Sequence, residues 1–189
     1  MRRGSLRWIA VAYVLSFLIL AIADFTGYYL AEMGYLTVPS SIINSLRKIA
    51  GNPSILTIFI HNALLDVLMN IPAVGVVAYV FVLGETGLVL GYIAYAYIKE
   101  LGLLAPIIGF ITTALMPHGL VELFAYSLSA YNSVSLIVSA IRVRRLERAL
   151  MLWALLLLAS LGILYVAAVI EYLELKLLAP VISHGITSI

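Results

Sequence analysis

The chain has 189 residues, of which 64% are hydrophobic and 11% are charged, and its mean hydropathy is +1.14. A soluble domain is about half apolar and about a quarter charged, so this composition excludes an ordinary soluble protein and predicts a polytopic membrane protein. The net charge is only +2, and the absence of cysteine excludes disulfides and thiolate metal sites. Since no long polar stretch interrupts the apolar sequence, we expect residues 1–189 to form a single integral membrane domain.

The first predicted element is an apolar run from Trp8 to Ala23, preceded by three arginines, Arg2, Arg3 and Arg7. The small residues that end this run resemble a signal-peptide cleavage site. The apolar character continues to Leu30, however, and gives the ~20 residues that a membrane span needs. The sequence therefore favours an uncleaved first helix, with Asp24 near the membrane interface.

A more polar connector follows from Glu32 to Gly51. Within it, Pro39-Ser40-Ser41 is suited to start a short amphipathic helix, with apolar residues on one side and Arg47 and Lys48 on the other. Such a helix either lies on the membrane surface or packs on the bundle as an ordinary connector.

The second predicted span begins at Pro53 and runs to about Leu83. Asn62, Asp66 and Asn70 lie at positions i, i+4 and i+8, so a helix places these three polar residues on one face. A polar stripe at membrane depth must face the bundle interior or water. These residues either form structural hydrogen bonds between helices or belong to a functional site.

A turn is predicted at Gly84-Glu85-Thr86-Gly87, followed by a short third span over residues 88–98. Gly87 and Gly91 have the Gly-x-x-x-Gly spacing, which allows two helices to approach closely. This spacing and the small size of the bundle favour a homodimer.

The next apolar stretch, residues 103–140, is too long for a single span and contains Pro117-His118-Gly119. Proline lacks a backbone donor and glycine loosens a helix, so the sequence predicts a helix broken at this point. His118 and Glu122 then lie one turn apart on one face. An acid at the membrane centre costs about 2.5–3.5 kcal/mol on insertion scales unless it has a partner, which marks Glu122 as a candidate functional residue.

The arginines predict the topology. The runs Arg2–Arg7 and Arg142–Arg148 both belong in the cytoplasm under the positive-inside rule, so an even number of crossings separates them. With the broken element crossing once and a last span beginning near Ala149, the fold class is an all-α transmembrane bundle with about five net crossings. We expect a multi-pass protein of the cell membrane with a cytoplasmic N-terminus and an external C-terminus.

Four stretches together resemble a known family over residues 52–174. They are Pro117-His118-Gly119 with Glu122-Leu123, Ile58–Asn62, the glycine-rich helix Gly84–Gly91, and the ending Ala167-Ala168-Val169-Ile170-Glu171. This pattern resembles the stage II sporulation protein M family of integral membrane proteins. One position departs from it, because His61 stands where the first of two asparagines is expected.

The resemblance implies a scaffold or assembly role in cell-envelope remodelling, with the lipid bilayer and other membrane or envelope proteins as partners. It implies no role in spore formation itself. No nucleic-acid feature is present beyond one short arginine run, so we expect no nucleic-acid partner.

Four residues form a candidate divalent-metal set, since two imidazoles and carboxylates suit zinc: His61, His118, Glu122 and Glu171. Two alternatives stay open. One is a hydrogen-bonded cluster in which His118 and Glu122 pair with each other and with Asn62, and the other is a substrate or proton path. The chain has no His-Glu-x-x-His helix, nucleophile elbow or phosphate-binding glycine loop, which favours a non-enzymatic role. A metal-dependent intramembrane hydrolase or a transporter is the alternative function.

Overall fold

The computed structural model describes residues 3–44, 53–142 and 146–186, and no strand occurs in this part of the chain. Four helices are long and apolar enough to cross a membrane. They are α1 (Arg3–Glu32), α3 (Gly75–Ile98), α5 (Pro117–Arg142) and α6 (Leu146–Ile186). Two shorter apolar helices are α2 (Ile55–Asn70) and α4 (Leu104–Ala114), and a 3-10 turn, Lys99–Leu101, follows α3. The predicted all-α transmembrane bundle is confirmed.

The directions of the helices follow from the side chains that join them. The Tyr79 hydroxyl donates to the Ala12 carbonyl, and the Tyr28 hydroxyl donates to the Lys99 carbonyl, so α1 and α3 run parallel. α4 runs opposite to α1, because Ala105 packs with Tyr28 while the later residue Gly109 lies beside Asp24.

α6 runs opposite to both α2 and α5. Asp66 on α2 contacts Ser160, and Asn70, one turn later, contacts Trp153, which is earlier on α6. His118 near the start of α5 likewise pairs with Glu174 far along α6. α4 and α5 therefore run in the same direction and together cross the membrane once. The bundle is consistent with five net crossings.

The break between α2 and α3 lies at residues 71–74 and not at the glycines predicted to form a turn. Pro72 has no backbone donor and disfavours the helical conformation at Ile71, which is extended with ψ of 124°. Ala73 has a positive φ of 67°, a conformation that residues with a Cβ rarely adopt. The predicted turn at Gly84–Gly87 is wrong, because α3 continues through it as a helix.

Gly87 and Gly91 instead let α3 pack closely on α1. A Cβ added to Gly87 would lie 2.6 Å from the Ala23 Cβ and 2.7 Å from the Leu20 carbonyl oxygen. A Cβ added to Gly91 would overlap the Asp24 carbonyl oxygen. The Gly-x-x-x-Gly spacing thus serves a contact between two helices of the same chain. The homodimer stays a prediction that rests on the small size of the bundle.

The helix break at the Pro-His-Gly sequence is present. α4 ends at Ala114, and α5 begins at Pro117 itself, where a missing N–H costs nothing because the first helical donors have no intrahelical acceptor. Gly119 lies directly against the Thr113 carbonyl oxygen, so a side chain there would collide with the end of α4.

Part of the predicted connector helix lies outside the described residues. Residues 40–44 are helical, and the Ile42 backbone N–H donates to the Pro39 carbonyl. Arg47 and Lys48, on which the amphipathic prediction depends, lie outside the described residues, as do residues 143–145 of the second arginine run.

Candidate functional site

A polar stripe follows one face of α5 through the middle of the bundle. Its members recur every three or four residues and therefore share a face: His118, Glu122, Tyr126, Ser129 and Ser133. Leu123 and Ala125, which neighbour this stripe on α5, pack into the apolar core. The stripe itself contacts polar residues of α2 and α6.

Asp66 of α2 is the centre of a hydrogen-bonded network at this three-helix contact. Its side chain is fully buried and both carboxylate oxygens have partners. Ser129 donates to Oδ1 at 2.5 Å, Ser160 donates to Oδ2 at 2.7 Å, and Asn70 donates to Oδ2 at 3.3 Å. Donors from α5, α6 and α2 thus compensate the loss of water around a single acid.

The network continues one turn further along α2. The Asn132 amide donates to the Asn70 side-chain oxygen at 2.8 Å and to the Trp153 carbonyl at 2.9 Å. The Trp153 indole N–H donates to the Asn70 carbonyl at 3.0 Å, and Ser133 donates to the Ile71 carbonyl at 2.8 Å. These bonds use backbone carbonyls that the end of α2 leaves without helical partners, so they hold the bend in place.

A cluster of titratable side chains lies at the other end of the stripe. His118 pairs with Glu174 through Nδ1, and each side chain is 15% exposed. Glu171 lies within electrostatic range of Glu122, His118 and Glu174, and Tyr126 lies within range of Glu122, Glu171 and Asp66. The Glu174 Oε1 atom has no hydrogen-bond partner in the described part of the chain. The cluster therefore retains unused hydrogen-bonding capacity.

The charge balance of this acid cluster, defined as His118, Glu122, Glu171 and Glu174, is uneven. Three carboxyl groups share one imidazole, and no Lys or Arg within the described ranges forms an ion pair with them. Carboxylates that repel each other in apolar surroundings attract protons or other cations. The chemistry open to the cluster is thus cation uptake.

The four predicted metal ligands are not brought together. His118, Glu122 and Glu171 share the acid cluster, whereas His61 is exposed on α2. Among the described residues, no group of three or more such side chains is close enough to hold a metal ion. The zinc site stays a prediction, which metal analysis of protein purified without chelator would check. Near one zinc or manganese per chain, lost in Glu122→Gln, would establish it, since metal needs a deprotonated ligand.

The three residues of the predicted polar stripe on α2 are all buried, with Asn62 7%, Asp66 0% and Asn70 1% exposed. The predicted pairing of His118 with Glu122 does not occur, because Glu174 pairs with His118 instead. Glu174 lies three residues after Glu171 on the same helix face, a spacing that could have identified it from the sequence.

No comparable spacing identifies the residues of α5 and α6 that complete the Asp66 network. They are Ser129, Asn132, Trp153 and Ser160. Serines in membrane helices usually bond back to their own helix, and Ser127 does so, to the Leu123 carbonyl. Ser129 is two residues away and bonds across to Asp66, which only the packed structure reveals.

Comparison with known proteins gives one positive result. Residues 10–172 match the model of a family described as stage II sporulation protein M. The match includes three residues of the acid cluster, and the fourth, Glu174, lies just beyond it. No curated protein and no solved structure matches the chain. Because the match covers most of the sequence, the chain belongs to the stage II sporulation protein M family.

Proposed function

We propose that this protein is a membrane scaffold that assembles other envelope proteins during cell-envelope remodelling. The observation that carries the proposal is the Asp66 network, in which three helices are tied together by donors that occupy both oxygens of the central acid. A buried acid with all its oxygens bonded stabilises a defined arrangement of helices and has no oxygen free for a substrate. Membership of the family supports the same reading.

The exterior of the bundle agrees with a role played within the membrane. Large apolar side chains are exposed along its helices, among them Trp8 at 68%, Val77 at 69% and Leu158 at 65%. Lipid or another transmembrane helix must cover such surface, because contiguous apolar patches of this kind do not stay in water. A scaffold of this type therefore recruits its partners chiefly through helix surfaces in the bilayer.

The test is in-cell crosslinking of the tagged full-length chain, followed by identification of the attached proteins. We expect reproducible crosslinks to envelope or wall-remodelling proteins, and we expect those proteins to leave the membrane fraction when the chain is deleted. Partners that keep their location and amount without the chain would contradict a scaffold role.

Transport of protons or small cations is the second candidate function, favoured by the acid cluster. Its carboxyl groups outnumber its single imidazole, and the Glu174 Oε1 atom has no partner among the described residues. In this function, protons pass along the α5–α6 interface from the partly exposed His118–Glu174 pair towards Asp66.

Glu122→Gln separates the two functions, because it keeps the shape of the side chain and removes its ability to titrate. A scaffold with this substitution retains its crosslinked partners, and vesicles that contain the wild-type chain show no proton flux. A transporter shows flux with the wild-type chain and loses it with Glu122→Gln. Flux by the wild-type chain would therefore contradict a purely scaffolding role.

A further inference from the structure

Asp24 of α1 is a second buried acid, remote from the Asp66 network in its contacts. Its side chain is 0% exposed, because α1 continues for two further turns to Glu32 and packs against α3. The position of Asp24 near the membrane interface stays a prediction. Neither carboxylate oxygen of Asp24 has a hydrogen-bond partner among the described residues.

The surroundings of the Asp24 carboxyl group are small and apolar. Gly91 of α3 lies against the Asp24 backbone, and Gly109 of α4 faces the carboxylate. A Cβ added to Gly109 would lie 3.8 and 3.9 Å from the two carboxylate oxygens and 3.7 Å from the Ala94 Cβ, which is ordinary van der Waals contact. The absent side chain of Gly109 thus leaves about the volume of one methyl group beside the acid.

No other charge compensates the acid. α4 contains no ionisable residue, and the contacts of α5 with α1 include the apolar Phe124 and the Leu120 carbonyl. The ring of Tyr28, one turn after Asp24 on α1, meets the ring of Tyr95 on α3 edge to face, with 5.8 Å between the ring centres.

Two charged residues of α3 and its 3-10 turn complete the surroundings. The Lys99 ammonium lies 5.7 Å from the centre of the Tyr95 ring and is exposed, and Glu85 is exposed on α3. Neither forms an ion pair with Asp24. Asp24 therefore lacks the donors that surround Asp66, and it contributes no hydrogen bond that would make it a structural link.

We infer that Asp24 is a proton-binding site enclosed by α1, α3 and α4. A carboxylate without hydrogen bonds in apolar surroundings has to be neutralised, and a proton does so by bonding to one of its oxygens. A metal cation would need several oxygen ligands, whereas the groups beside the carboxyl are apolar. The site is separate from the acid cluster, so the inference does not depend on either proposed function.

The first test is labelling of the full-length protein with dicyclohexylcarbodiimide, which attacks protonated carboxyl groups in apolar surroundings. Peptide mass spectrometry should find the adduct on Asp24 in wild type and no adduct at that position in Asp24→Asn. Raising the pH should suppress the adduct, and sodium chloride should have no effect beyond that of potassium chloride. Suppression by sodium chloride and not by potassium chloride would overturn the proton site.

The second test is thermal stability, which does not depend on access of the reagent. A ligand that binds only the folded state raises the unfolding temperature as its concentration rises. Wild-type protein should therefore become more stable with added acid, and Asp24→Asn should lose that part of the response. If neither adduct formation nor the stability response differs between wild type and Asp24→Asn, the inference is overturned.

Gly109→Ala tests the site without removing the acid. Its methyl group fits without collision but occupies the space beside the carboxylate, so the proton concentration at half response should change roughly tenfold. Gly162→Ala is the matched control, because a Cβ there meets nothing within 4 Å. An unchanged midpoint in folded Gly109→Ala would overturn the enclosed site.

Discussion

Single residues at membrane depth are held here by side chains from other helices. Asp66 has donors from three helices, whereas Asp24 has none among the described residues, and His118 has an acid from α6. In water such contacts contribute little, because water competes for every donor and acceptor. Inside the bundle the loss of one partner leaves the other without compensation, which makes each pair measurable.

The pairing of His118 with Glu174 should appear in a double-mutant cycle. We expect His118→Ala and Glu174→Ala to be non-additive by about 0.5–3 kcal/mol in the free energy of unfolding, because either change alone already removes the contact. The measurement is reversible unfolding of the protein in detergent. His61→Ala combined with Glu174→Ala is the control and should be additive, since His61 is exposed on α2.

Additivity of the His118 and Glu174 substitutions would mean that the two side chains do not interact. A cycle between His118→Ala and Glu122→Gln would then show whether Glu122 takes the place of Glu174 beside His118, which is one of the alternatives that the sequence leaves open.

Residue spacing predicts which side chains share a helix face, but not what they meet. The positions of Asn62, Asp66 and Asn70 gave a stripe correctly, because helical periodicity is a local property. Their partners come from residues more than sixty positions away, such as Ser129 and Ser160, and depend on how the helices pack. The burial of Asp24 likewise depends on packing, because hydropathy along α1 does not show that Gly91 of α3 and Gly109 of α4 lie against it.

The helices themselves differ in how well their ends could be predicted. Pro117 begins α5, as its missing N–H and the adjoining glycine indicate, and Pro72 ends α2 in the same way. The stretch Gly84–Gly87 has the composition of a turn and yet lies inside α3. Within it, Gly87 lies against α1. A glycine that forms a turn and a glycine that allows close helix contact cannot be distinguished from the sequence without knowing which helix lies opposite.

Two glycines of α3 provide a matched test of that contact. Gly91→Ala should lower the free energy of unfolding by about 1–3 kcal/mol, because its Cβ would overlap the backbone of α1 at Asp24, which cannot rotate away. Gly84→Ala has nothing within 4 Å and should be neutral or stabilise α3 by up to about 1 kcal/mol. Thermal unfolding in detergent measures both. Equal effects of the two substitutions would contradict the close contact between α1 and α3.

At the scale of the whole molecule, the helix directions place particular ends together. The start of α1 lies beside the start of α3, as the bond between Tyr79 and Ala12 requires. The end of α5 lies beside the bend before α3, as the bond between Ser133 and Ile71 requires. Arg3, Arg7 and Arg142 are therefore at the same end of the bundle. This placement is independent of the positive-inside rule, which predicts that the end is cytoplasmic.

The topology can be tested by labelling, because the chain has no native cysteine. Single cysteines are introduced at exposed positions that leave every arginine in place, and intact cells are treated with a membrane-impermeant thiol reagent. Leu6→Cys and Glu147→Cys should be protected until the membrane is opened, since both lie at the arginine-bearing end. Tyr35→Cys, after α1, and Leu177→Cys, far along α6, should react in intact cells, since five crossings place these segments outside. The reverse pattern would keep the fold and invert the orientation, whereas labelling of Glu147→Cys and Leu177→Cys from the same side would contradict α6 as a spanning helix.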